Sequence, residues 1–278
     1  MNNNYSNFFI DIKDKPKFVT YDNLNMVTLM GSRAYKTSTP ESDYDYYGFL
    51  IPPIEYIFPH TAGVIEGFGK NNYLFNQFQA HHLNNDKEEV DITIYNITSY
   101  FKLCMNGNPN MIDSLFTEDS SIMYMDDIGE MVRKNRKLFL SQKCYHTFTG
   151  MMFSHLSRLK NRERIGKRAE IINKYGFDTK DASHIIRLLF EIKEILFRGE
   201  LTLGNFSSLV IDVKNGGWTK EEVVEFAEKE MVRIQDSVND GKAVVPYSAD
   251  EKVLKELLID CLEEKYGSLK NIGFPTNI

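Results

Sequence analysis

The stretch that decides the fold is Met30-Gly31-Ser32-Arg33-Ala34-Tyr35, followed by Ser42-Asp43-Tyr44-Asp45-Tyr46. Before it, Met26-Val27-Thr28-Leu29-Met30 reads as a buried strand that ends at Gly31-Ser32. Glycine has no Cβ, so this ending lets the backbone approach a polyphosphate closely. The serine hydroxyl and the N–H groups that follow can then donate to phosphate oxygens. Further on, Asp43 and Asp45 stand at i and i+2, a spacing that puts both carboxylates on one face of a strand. Two adjacent hard oxygen ligands on a rigid element suit a Mg²⁺ ion that also binds substrate phosphate.

Working outward, residues 44–51 are rich in β-favouring and aromatic types and stop at Pro52-Pro53, which cannot continue a ladder. Residues 90–95 alternate cleanly, with Val90, Ile92 and Ile94 on one face and Asp91, Thr93 and Tyr95 on the other. Asp91 therefore projects from a strand whose opposite face is apolar, and it is the candidate third carboxylate. Asp86, Glu88 and Glu89 compete for that role. In a two-metal displacement Asp43 and Asp45 bridge both ions, Mg²⁺ or Mn²⁺, while Asp91 assists the ion that activates an acceptor hydroxyl. Helices are expected at 98–106 and 111–116, around the turn Gly107-Asn108-Pro109-Asn110.

Beyond residue 125 helical periodicity takes over. Helices are expected at 145–161, at 180–198 with Gly199 as its stop, from a Thr219/Glu222 capping box to about 238, and from Ser248, with Glu251 as capping partner, to near Gly267. The expected architecture is α/β (α+β): a mixed-sheet domain over 1–128, then an all-helical domain over 129–278 that closes a cleft. With 42% apolar and 26% charged residues the composition is that of a globular protein. No apolar run approaches a bilayer span, and MNNNYSNFFIDIKDK has neither a basic leader nor an apolar stretch, so a cytoplasmic location is expected. For a phage-encoded chain that means the host cytoplasm. Cys104, Cys144 and Cys261 are too scattered for a disulfide framework or zinc site and read as buried thiols. His81-His82 lies in a polar, loop-like stretch and reads as surface. A net charge of −6 argues against coating nucleic acid with the whole surface, though a local basic groove stays open.

The run GSRAYKTSTPESDYDYYGFLIPP (31–53) resembles the signature of nucleotidyltransferases of the DNA polymerase β superfamily, in the branch found beside RNA-repair enzymes and in phage genomes. CMNGNPNMIDSLF (104–116) resembles the Asn-Pro segment of that branch, and KYGFDTKDASHIIRLLFEIKEIL (174–196) resembles its C-terminal helix motif. The resemblance implies a DNA polymerase β-like fold and a nucleoside triphosphate substrate, with Gly31, Ser32 and Arg33 on its phosphates. It also implies that Lys174, Lys180, His184 and Arg187 approach the active site, where a cation would neutralise the triphosphate and the leaving pyrophosphate. One position departs from the branch: Lys36 stands where glycine is usual.

Read without the resemblance, the 180–198 helix has an apolar face of Ile185, Leu188, Leu189, Ile192, Ile195 and Leu196. A second stripe carries His184, Arg187, Glu191 and Glu194 and can simply be solvated. The run Arg158, Lys160, Arg162, Arg164, Lys167 and Arg168 reads as a solvated surface, with guidance of an RNA acceptor as the alternative. The expected activity is transfer of a nucleoside monophosphate to an acceptor hydroxyl: an RNA 3′ end, a small molecule or a protein side chain. The rival readings are a non-catalytic nucleotide- or partner-binding regulatory module and a toxin–antitoxin-type transferase that modifies a protein.

Overall fold

The computed structural model describes residues 12, 15–58, 75–85, 88–161 and 166–268. Strands β1 (Leu24–Leu29), β2 (Tyr44–Leu50), β3 (Gln77–Asn85), β4 (Glu88–Asn96) and β5 (Ile122–Met125) form one mixed sheet in the order β3-β4-β2-β1-β5. Its ladders are antiparallel except for the parallel pair of β2 and β4. The mixed α and β architecture matches expectation, but β3 and β5 are additions. β3 escaped because it is polar and a bulge between Ala80 and Leu83 breaks its alternation. That bulge corrects the reading of His81-His82, which is exposed but belongs to a strand.

The helices are α1 (Gly31–Ala34), α2 (Ile97–Met105), α3 (Pro109–Phe116), α4 (Asp127–Lys134), α5 (Lys143–Asn161), α6 (Lys167–Tyr175), α7 (Thr179–Arg198), α8 (Ser207–Lys214), α9 (Lys220–Asn239) and α10 (Glu251–Tyr266). Their ends follow local chemistry. The Asp178 carboxylate accepts from the N–H groups of Lys180 and Asp181 at the start of α7, and Gly199 ends that helix in the left-handed region. Both bonds of the Thr219/Glu222 capping box form. The last helix starts later than expected: Asp250 caps it by accepting from Lys252 and Val253 N–H, and a charged cap next to the helix dipole displaces Ser248 from that role.

One sheet face, through Met26 and Phe49, joins a continuous apolar core with Tyr100, Leu115, Phe148 and the apolar face of α7. The other face buries Val27, Leu50, Val90, Ile92 and Ile94 beneath Val19 and Phe75. Residue 128 falls inside α4, so the two compositional halves meet across one core. The second stripe of α7 is not solvated. Arg187, Glu191 and Glu194 are all buried, so this helix is enclosed on its polar side as well. Among the described residues the three cysteines are free and buried, and no helix is long and apolar enough to cross a membrane.

Candidate active site

β1 delivers the chain to Gly31, which opens α1 at φ +63°. A Cβ on Gly31 would lie 1.9 Å from Asp45 Oδ2, so only glycine allows the turn to close over that carboxylate. At the far side of the turn Lys36 also has a positive φ, 57°, a conformation that glycine adopts without strain. Its side chain turns away from the turn to Glu118, with Nζ 2.5 Å from Oε1. The Ser32 carbonyl accepts from Thr37 N–H at 2.8 Å, while the Ser32 hydroxyl has no hydrogen bond among the described residues. Arg33 ties the turn to the acidic strand. Its Nη2 and Nε donate to the carbonyls of Ser42 (2.7 Å) and Asp43 (3.3 Å), and the guanidinium lies 3.6 Å from the Tyr44 ring centroid. In this arrangement Arg33 shapes the loop that carries Asp43.

Asp43 stands at the entry to β2, and Asp45 lies within it directly opposite Asp91 of β4. Adjacent strands are about 4.8 Å apart, so the two carboxylates project side by side. Register sets Asp91 opposite Asp45; Glu89 lies on the same face of β4, and Asp86 lies outside the described residues. The β3 bulge holds Asp91 in place: His82 N–H donates to Oδ1 at 2.8 Å, and His81 Nδ1 lies 3.3 Å from Oδ2. Burial, then Asp43 and Asp91, pushes Asp45 up to about 6, while Lys180 and His81 pull the other way. Lys180 is thus within electrostatic reach of the carboxylates from the helical side.

Lys214, the last residue of α8, joins Lys180 there. Its Nζ donates to the Thr37 carbonyl at 2.7 Å, and its pKa is lowered by burial and by Lys180, with Asp43 opposing. The Thr179 hydroxyl donates to the Lys214 carbonyl at 2.8 Å, fastening the end of α8 to the start of α7. Nothing local in the sequence marked Lys214; only the packing of α8 on α7 brings it to the turn after Gly31-Ser32. His184 does not reach outward. Its ring lies 4.9 Å from that of His155, and burial, with Arg187, His155, Lys180 and Arg168 nearby, depresses its pKa. Lys174 lies over the Tyr175 ring on an exposed face of α6. In the basic run, Arg158 and Arg168 are spent on Asp181 and Asp178, and Lys160 on Glu228. Arg162 and Arg164 lie outside the described residues.

Arg187, expected at the triphosphate, is buried beneath the turn. Its Nη1 donates to Asp113 Oδ2 (2.9 Å) and to both oxygens of Glu191 (2.9 and 2.8 Å), and its guanidinium stacks 3.9 Å from the Tyr35 ring centroid. Two buried carboxylates thus share one guanidinium. Burial pushes Glu191 up to about 8, with Asp113 and Glu194 adding to the shift and Arg187 opposing it. Asp113 is raised too, chiefly by burial. The folded protein therefore retains a proton that the unfolded chain releases near pH 4.5, the ordinary glutamate value. This stability is fully present below that value and is lost as pH rises toward about 8, at no more than about 1.4 kcal/mol per pH unit. Urea unfolding is expected to show stability falling between about pH 5 and about pH 8.5, and Glu191→Gln is expected to flatten the fall. A wild-type curve that rises over that interval contradicts the shared-proton reading.

The donor set at the carboxylates is all oxygen, which fits a hard divalent cation. Among the described residues no three His, Cys, Asp or Glu side chains close into a metal cage.

A family model described as the RNA repair pathway DNA polymerase beta family matches residues 24–233, well over half of the chain. An uncharacterized 38.9 kDa protein from the nrdC–mobD intergenic region of Enterobacteria phage T4 is 32% identical over 111 residues, which cover 39% of this chain and 31% of that protein. The chain therefore spans about a third of the length of that relative. A crystal structure of a nucleotidyltransferase-like protein from Exiguobacterium sibiricum aligns over 89% of this chain and 76% of that one, at 13% identity and a TM-score of 0.30, too distant for any role to be carried across.

Proposed function

The chain belongs to the RNA repair pathway DNA polymerase beta family, and on that premise we propose that it transfers a nucleoside monophosphate from a triphosphate to the 3′ hydroxyl of an RNA. In this reaction the acceptor oxygen bonds to the α-phosphorus, the bond from that phosphorus to the pyrophosphate oxygen breaks, and the acceptor proton passes to solvent. The observation that carries the reading is the placement of Asp45 beside Asp91 and directly under Gly31, at a turn with a disengaged serine hydroxyl. Gly31 lets the triphosphate approach the turn, and Ser32 donates to it. Lys180, near the start of α7, and Lys214, at the end of α8, neutralise the phosphates. Asp43, Asp45 and Asp91 would hold Mg²⁺ or Mn²⁺, which when bound neutralises phosphate oxygens and acidifies the acceptor hydroxyl.

The test is incubation with each α-labelled triphosphate, Mg²⁺ or Mn²⁺, and RNA that either carries a free 3′ hydroxyl or is blocked there. Label is expected in the free-ended RNA only. Equal labelling of blocked RNA moves the acceptor to another hydroxyl, and label on protein replaces RNA with a protein acceptor. Triphosphate binding without transfer to any fraction replaces catalysis with a regulatory role.

A further inference from the structure

We propose that Tyr35, Asp113, Arg187 and Glu191 form a buried lock that positions the phosphate turn, making them positioning residues rather than contacts to substrate. The proposal rests on the reading of Gly31 and Ser32 as the triphosphate site.

Three segments far apart in sequence converge here. Tyr35 leaves the phosphate turn and donates its hydroxyl to Asp113 Oδ2 at 2.7 Å. Asp113 lies in α3 and accepts at the same oxygen from Arg187 of α7. Glu191, one turn along α7, grips Arg187 through both oxygens. Each of the three motifs noted in the sequence thus contributes a member: 31–53 gives Tyr35, 104–116 gives Asp113, and 174–196 gives Arg187 and Glu191.

The turn needs such a tie. A four-residue helix has almost no stability of its own, because nucleation outweighs the few bonds it closes. Its flanks, Gly31 and Lys36, both sit in the left-handed region. On the upper side Arg33 holds it to the Ser42–Asp43 loop, and on the lower side Tyr35 holds it to the helical half. The lock borders a cavity of about 20 Å³ lined by Tyr35, Arg187, Glu191 and Glu194. Tyr35 is also buried in the apolar core, so its ring is held by packing and its hydroxyl bond adds direction.

Stability alone is a poor reason for the arrangement. A buried cluster of one guanidinium and two carboxylates is generally no more stabilising than apolar side chains of the same volume. Asp113 Oδ1 and Arg187 Nε are, in addition, buried without a hydrogen bond among the described residues. What the cluster supplies that leucines cannot is direction: a planar guanidinium under the ring and a carboxylate at its hydroxyl admit one placement of Tyr35.

The experiment compares the full-length wild type with Tyr35→Phe, which keeps the ring over Arg187 and loses only the bond to Asp113. Asp113→Asn, which still accepts that bond, serves as the conservative variant. Amide hydrogen exchange of residues 31–43 is expected to accelerate about tenfold in Tyr35→Phe, with α9 unchanged. KM for triphosphate is expected to rise about tenfold with kcat little changed, since the turn is less often in its binding form. Asp113→Asn is expected to exchange close to wild type over 31–43. Unchanged exchange over 31–43 in folded Tyr35→Phe overturns the lock. Uniform acceleration along the whole chain overturns it too, because the hydroxyl would then serve global stability alone. If wild-type protein binds no triphosphate, the proposed function fails while the exchange comparison still decides the lock.

Discussion

Arg187→Ala is expected to lose about 3–5 kcal/mol of folding stability, because it leaves Asp113 and Glu191 buried with no cation between them. An Arg187 that lined the cleft, as the resemblance implies, would instead be expected to lose turnover with little change in melting. Burial at 8% exposure decides between them. Much of the loss is the cost of leaving the ionised member of this acid pair without its cation, so it should shrink in acid, where that group takes up a proton as well. Replacing Arg187, Asp113 and Glu191 together by apolar residues of matching volume should recover most of the stability. The triple variant should still be impaired in triphosphate binding if the lock positions the turn. Urea unfolding of the single and triple variants at two pH values checks all of this. A single Arg187→Ala variant that unfolds at the wild-type midpoint removes the buried network from the account.

Asp45→Asn is expected to have the largest effect on activity, a loss of at least about a hundredfold in transfer, since even substitutions behind a metal ligand cost up to that much. Its fold should survive. Asp45 is pushed to about 6 by burial and by Asp43 and Asp91, so at neutral pH its charge is held against both desolvation and repulsion. An amide removes that burden, and in chelator the variant should melt at or above the wild-type temperature. Added Mg²⁺ should raise the wild-type melting temperature more than the variant's, because an ion that binds only the folded chain stabilises it by mass action. Near-normal transfer by Asp45→Asn in saturating Mg²⁺ rules out Asp45 as a ligand.

The sequence by itself determined what backbone periodicity and local sterics control. A strand running into Gly31-Ser32, two carboxylates at i and i+2, an alternating strand carrying Asp91, and the apolar face of α7 all follow from spacings within a few residues. The capping of α9 and the stop at Gly199 belong to the same class, being set by one side chain and one backbone conformation. Tertiary structure alone decided the rest. Asp91 comes to lie opposite Asp45 only through the parallel register of β4 on β2. β3 and its bulge emerge only once β4 offers an edge, and Lys214 reaches the turn after Gly31-Ser32 only because α8 packs against α7. Arg187 is the sharpest case. Its place on α7 was legible, yet an arginine in a polar stripe with that spacing looks the same whether it faces phosphate or buried acids. Asp113, the partner that settles the matter, is 74 residues away in sequence. Helical and strand periods are properties of the local chain, whereas the sign of the charge opposite a side chain depends on which distant segment packs there.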